Sequence, residues 1–146
     1  MPFTIRCRHA FPALVYRSPV CSLITLLLLG SGPVYAEWTT VSYGQNGVIV
    51  YVDFAAIRRN GNRVKMWELY DYKTIQTQTG DPFMSFEKQT EYDCAKERYR
   101  MLAVTSFSGN MATGTVVFTD SGAMNWHPVQ PGSIHKTLWE LACIEK

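Results

Sequence analysis

After residue 36, apolar and polar residues alternate with the period of two expected of half-buried strands. Glu37 to Tyr43 (EWTTVSY) is short and favours extension, and Gly44 to Gly47 (GQNG) ends in the Asn-Gly pair of tight hairpins. Val48 to Phe54 (VIVYVDF) has no polar residue before Asp53, which predicts a central strand covered on both faces. Ala55 to Arg59 fits one helical turn, closed by Asn60-Gly61-Asn62. From Arg63 to Tyr72, Val64, Met66, Tyr70 and Tyr72 share one face, interrupted by Glu68, while Lys65, Trp67, Leu69 and Asp71 share the other.

Lys73 to Pro82 (KTIQTQTGDP) is polar and ends in Gly-Asp-Pro, so it predicts a protruding connection. Ser85 to Cys94 alternates Phe86, Thr90 and Tyr92 against Glu87, Gln89 and Glu91, the pattern of a half-exposed strand. Arg98 to Ser108 and Gly114 to Thr119 complete six strands in close succession. Such spacing favours an antiparallel meander over parallel crossover units.

Only the last segment reads as a helix, from Ile134 to about Ile144, with Ser133 as N-cap. At 100° per residue Ile134, Leu138 and Leu141 share one side, and Cys143 lies with Trp139 on nearly the opposite side. Either the Leu138, Trp139, Ala142 and Cys143 side packs on the sheet, or the helix frays before Cys143. Burial of Trp139 removes more apolar area and favours the first. The fold class expected is therefore α+β: an antiparallel meander of about six strands against a C-terminal α-helix.

The first 36 residues change how the rest is read. Arg6, Arg8 and Arg17 precede the apolar run Val20 to Leu29, which is about half the ~20 residues of a membrane-spanning helix. Val34-Tyr35-Ala36 then resembles a cleavage site, so residues 1–36 are expected to be a signal peptide and residues 37–146 the mature domain. Loss of the three arginines leaves 11 bases against 12 acids, a near-neutral domain with no general attraction to nucleic acid. Export to the periplasm or outer surface is the expected destination.

Cys7 and Cys21 leave with that leader, and Cys94 and Cys143 enter an oxidising compartment, where a disulfide between them is the default. Neither belongs to a CxxC pair, so a redox site or zinc knuckle finds no support.

Certain residues recur together along the chain: Trp38, Tyr51-Val52-Asp53, Ile57-Arg58-Arg59-Asn60-Gly61, and Trp67 with Tyr70-Asp71-Tyr72. They are followed by Tyr92-Asp93-Cys94 with Arg98 and Arg100, then Pro131-Gly132-Ser133 and Cys143. Their order and spacing resemble the bacterial surface-adhesin protein E-like family over nearly all of residues 37–146. The resemblance implies an antiparallel sheet packed against a C-terminal helix, and a helix cysteine bonded to the Asp-Cys turn. It also implies a binding role towards host extracellular-matrix protein or glycan. Where such proteins often carry Met-Gly before the late strand, this chain has Met111-Ala112-Thr113-Gly114.

Catalytic spacing is absent from the sequence. His127 and His135 form no HxxxH or HExxH pair, no GxSxG or phosphate-cradling loop occurs, and no cofactor or metal is expected. Asp53, Asp71 and Asp93 sit at strand ends, where carboxylates accept backbone N–H bonds. Tyr70, Tyr72, Tyr92 and Tyr99 are expected to be half-buried packing groups. Candidate binding residues are Arg58, Arg59, Arg63 and Lys65, a basic cluster around an Asn-Gly turn suited to sulfated glycans or acidic protein segments. An exported, non-enzymatic binding module is the leading expectation. A periplasmic inhibitor or envelope accessory protein that binds one bacterial partner is the alternative.

Overall fold

The computed structural model describes residues 36–77 and 80–144, so the expected signal peptide, apart from Ala36, lies outside the described residues. Eight strands form one antiparallel sheet: β1 (Trp38–Tyr43), β2 (Val48–Asp53), β3 (Arg58–Asn60), β4 (Arg63–Gln76), β5 (Phe83–Asp93), β6 (Arg98–Phe107), β7 (Val116–Ser121) and β8 (His127–Pro128). Their order is β1-β2-β4-β5-β6-β7, with β3 paired to β4 and β8 to β6. The meander expected from the strand spacing is present, with two short strands added at one end.

One helix, α1 (Ile134–Cys143), lies against the sheet. The Ser133 side chain caps it by accepting from Lys136 N at 3.2 Å. Its buried residues are Leu138, Trp139 and Ala142, so the side bearing Trp139 packs on the sheet and the helix runs intact to Cys143. These meet Val50, Val52, Val64, Met66, Tyr70 and Tyr92, which alternate along β2, β4 and β5 and define the inner face. Cys94, just past β5, bonds Cys143 across a Cα separation of 5.5 Å. Two further ties hold the same end: Trp139 Nε1 donates to Asp93 O at 3.4 Å, and Arg59 Nη2 donates to Ala142 O at 2.6 Å.

Several local expectations are revised. The helical turn expected over Ala55 to Arg59 is only a 3-10 turn, Phe54–Ala56, held by Asp53, which accepts from Ala55 N and Ala56 N at 3.0 and 3.2 Å. The chain then extends, and Arg58 and Arg59 pair with Lys65 and Val64 as part of β3. Strand β4 continues to Gln76, which shortens the expected Lys73 to Pro82 connection. Strand β5 was expected to be half exposed, yet Thr90 to Asp93 are all buried, because β4 and β6 flank it and α1 covers one face.

The turn before β7 also departs from simple chemistry. Met111 and Ala112 have φ of 52° and 56°, a left-handed conformation that side chains disfavour. Asp71 offsets the strain: its Oδ1 accepts from Met111 N at 2.8 Å and from Asn110 Nδ2 at 3.0 Å. Asp71 therefore anchors a distant loop instead of closing its own strand.

Candidate functional site

Cross-strand partners in an antiparallel sheet share a face. Arg58, Lys65, Glu91 and Arg100 are successive partners across β3, β4, β5 and β6, and so form one row on the face opposite α1. Asn60, Arg63, Asp93 and Arg98 form the next row. Both rows lie at the end of the sheet where β3 and β8 are added. Pairing thus gathers five bases from β3, β4 and β6 around two acids of β5.

The acids are buried, Glu91 to 7% and Asp93 to 3% exposure, so each needs positive partners. Arg100 supplies Nε and Nη2 to Glu91 Oε2, each at 2.7 Å. Arg98 Nε donates to Asp93 Oδ2 at 3.0 Å. Arg63 bridges the rows, with Nη1 at 3.6 Å from Glu91 and Nη2 at 3.5 Å from Asp93. Burial tends to raise the Asp93 pKa, but the Arg98 hydrogen bond, the Arg63 charge and the Lys96 amide together hold it below the usual carboxylate range.

Trp126, just ahead of β8, lies over this network. The guanidinium carbons of Arg63, Arg98 and Arg100 are 4.4, 4.5 and 4.5 Å from its ring centroid. Cation–π attraction to three guanidiniums fixes the segment before β8 on the sheet. Beside it, Arg58, Arg59, Asn60, Arg63, Lys65 and Glu91 line a concavity of about 270 Å³.

The four bases singled out in the sequence thus meet at one place, but they do different things. Arg58 Nη1 donates to Ala55 O and Ile57 O, both at 2.9 Å, and among the described residues neither Arg58 nor Lys65 pairs with a carboxylate. Arg63 is committed to the two buried acids. Arg59 is partnered by buried Val64, and its guanidinium reaches the last turn of α1, where it satisfies a terminal carbonyl. Sequence reasoning missed the contribution of Glu91, Arg98, Arg100 and Trp126. Opposite charges one and three places either side of the Cys94–Glu97 turn, Asp93 with Arg98 and Glu91 with Arg100, were the available signal for the first three. Trp126 had none, because it reaches the face from an irregular segment.

The inner face holds a second polar cluster. Glu68, 0% exposed, accepts from Tyr92 OH at 2.5 Å and Tyr70 OH at 3.1 Å, and pairs with Lys88 Nζ at 3.3 Å. Burial, and then the Glu68 charge, push both tyrosine hydroxyls well above their usual pKa, so they remain donors. Lys88 Nζ also lies 3.3 Å from His135 Nε2, and the His135 ring stacks on Tyr99 with centroids 3.9 Å apart. Burial, reinforced by the Lys88 charge, lowers the His135 pKa to about 4, leaving the ring neutral. His127 also packs on Tyr99, with centroids 5.8 Å apart. Lys88 and the hydroxyls of Tyr70 and Tyr92 all converge on Glu68, and the arrangement resembles a structural network more than a reactive centre. Farther along the inner face, Tyr72, Phe86, Lys88 and Phe118 border a hollow of about 440 Å³.

These features define a small α+β domain in which one sheet and one described helix are stapled by a disulfide and the opposite strand face is charged. The model of the surface-adhesin protein E family matches residues 38–144, and the chain belongs to that family. Crystal form II of Haemophilus influenzae protein E is similar in fold, with 10% identity, a TM-score of 0.60, and coverage of 80% of this chain and 94% of that one. The selenomethionine form of the same protein aligns with a TM-score of 0.59 at 10% identity, over 77% of this chain and 89% of that one. Protein E from non-typeable Haemophilus influenzae gives 0.53 at 10% identity, over 80% and 82%. At such identity the structures establish the shared fold alone. No curated protein sequence matches the chain.

Proposed function

We propose that this protein is an exported adhesin-type domain, cleaved from its leader after Ala36, that binds an acidic component of the host extracellular matrix through the outer face of its sheet. One observation carries this reading: Arg58, Arg63 and Lys65 converge with Arg98 and Arg100 on a single rigid surface where bases outnumber acids by five to two. Membership of the surface-adhesin protein E family supports it. Among the described residues no helix is long and apolar enough to cross a membrane.

The test is binding of the purified, oxidised protein to a panel of immobilised matrix components, compared with an Arg58→Ala/Lys65→Ala variant. These two positions make no ion pair among the described residues and the two backbone bonds of Arg58 are solvent-exposed, so their loss probes the surface at small cost to the fold. Arg59 and Arg63 are poor probes, since Arg59 caps α1 and Arg63 bridges buried acids. Saturable binding that weakens in the double variant is expected. Failure to bind any matrix component would overturn the proposal. Surface proteolysis of intact cells decides whether the domain reaches the outside, and protection of the whole population would exclude host contact.

A further inference from the structure

We infer that the ligand of the outer face is a sulfated glycan chain laid across strands β3 to β6, with Trp126 at one end of its track. This rests on the binding role proposed above and specifies its chemistry.

The first reason is the spacing of positive charge. The row from Arg58 through Lys65 and Glu91 to Arg100 crosses three inter-strand gaps, about 14 Å at the usual strand separation. Its bases are distributed along a line instead of focused on one point, which suits anions repeated along a polymer better than one isolated phosphate. Five bases against two acids leave a local excess of three positive charges.

The second reason is donor capacity. An arginine has five N–H donors in a flat fork. Arg98 gives only Nε to Asp93, and Arg100 gives Nε and Nη2 to Glu91. Both Nη groups of Arg98 and the Nη1 group of Arg100 make no side-chain bond among the described residues. Glu91 and Asp93 thus orient the forks without exhausting them, and sulfate oxygens match that planar, bidentate geometry.

The third reason separates a glycan from an acidic peptide. Peptides bind through apolar anchors in dry pockets or by adding to an unpaired strand edge. Here the concavity is lined by polar residues alone, β4 and β5 are paired on both sides, and the free edge of β3 is only three residues long, too short to hold an added peptide strand. Trp126, half-buried, rests on the guanidiniums of Arg63, Arg98 and Arg100 at the end of the rows, and the C–H face of a sugar would stack on the ring face turned away from them.

The experiment measures binding of the purified, oxidised protein to heparin, fully desulfated heparin and unsulfated hyaluronan across a salt series. Heparin alone should bind, with log K falling linearly against log salt at a slope of roughly three to five, the number of ion contacts. Arg58→Ser/Lys65→Ser should lower that slope by about two while its unfolding transition matches wild type. Lys65→Ser alone, at an exposed site, should lower it by about one. Heparin should change the tryptophan fluorescence of the wild type and not of Trp126→Phe. Equal binding to sulfated and desulfated chains, or unchanged heparin binding in both serine variants, would overturn the inference. Matrix binding that survives removal of sulfated glycans, with no heparin binding, would overturn the glycan and leave the binding role standing. Loss of all binding would overturn both.

Discussion

Replacement of Glu68 tests the reasoning about the inner face most directly. In Glu68→Ala the Lys88 ammonium, 9% exposed, loses its carboxylate, and Tyr70 and Tyr92 lose the acceptor for their hydroxyls. Removing one member of a buried ion pair costs about 3–5 kcal/mol. An orphaned buried hydroxyl costs about 1–3 kcal/mol, but the terms share one carboxylate and do not simply add. A net loss of about 4 kcal/mol is expected, a large part of the roughly 5–15 kcal/mol that holds a small domain together. Urea unfolding of the oxidised protein, followed by far-ultraviolet circular dichroism, measures this as a fall in midpoint at unchanged slope. A cycle with Glu68→Gln and Lys88→Met then isolates the ion pair. Each single change strands a charge or a polar partner, and the double variant should recover most of the loss. If Glu68→Ala costs less than about 1 kcal/mol, or the cycle shows no coupling, the cluster is not the interior support described here.

Two further outcomes follow from named contacts. Cys94→Ser/Cys143→Ser should lose about 4 kcal/mol on the chain-entropy model for a sequence separation of 49, read as a lower denaturation midpoint than the oxidised wild type. A loss below about 1 kcal/mol would mean that the Arg59 and Trp139 bonds alone hold α1. For His135, the folded pKa of about 4 lies below the unfolded value of 6.5, so the unfolded chain takes up the proton first. Its contribution to stability is present above pH 6.5 and is lost as pH falls towards 4. NMR titration of the ring checks this, and a midpoint at or above 6.5 would contradict the burial and Lys88 repulsion that lower it.

Much of the sheet was legible because local patterns carry it. The alternation of Val64, Met66, Tyr70 and Tyr72 names the inner face of β4, and Asn46-Gly47 marks the first hairpin, where both residues adopt positive φ. The side of α1 that packs inward followed from Trp139 and Cys143 lying together. Glu68 was visible as a break in an apolar face, but besides Tyr70 on its own strand its partners, Lys88 and Tyr92, come from β5, which no local pattern could align with it. Arg58 and Arg59 were assigned to a helical turn because pairing with the start of β4 is non-local. The basic cluster was seen as four neighbours, whereas the structure spreads it across β3, β4 and β6 and ties Arg59 to the helix.

The amino-acid order by itself determined the six long strands, the C-terminal helix and the family. These depend on residues close in sequence, on types that admit few alternatives, or on motifs read in series. Only tertiary structure decided that Arg98 and Arg100 join Arg58 and Lys65 on one face, that Trp126 lies over Arg63, Arg98 and Arg100, and that Glu68 meets Lys88. Strand register sets those meetings, and register is chosen by the whole sheet closing over its core.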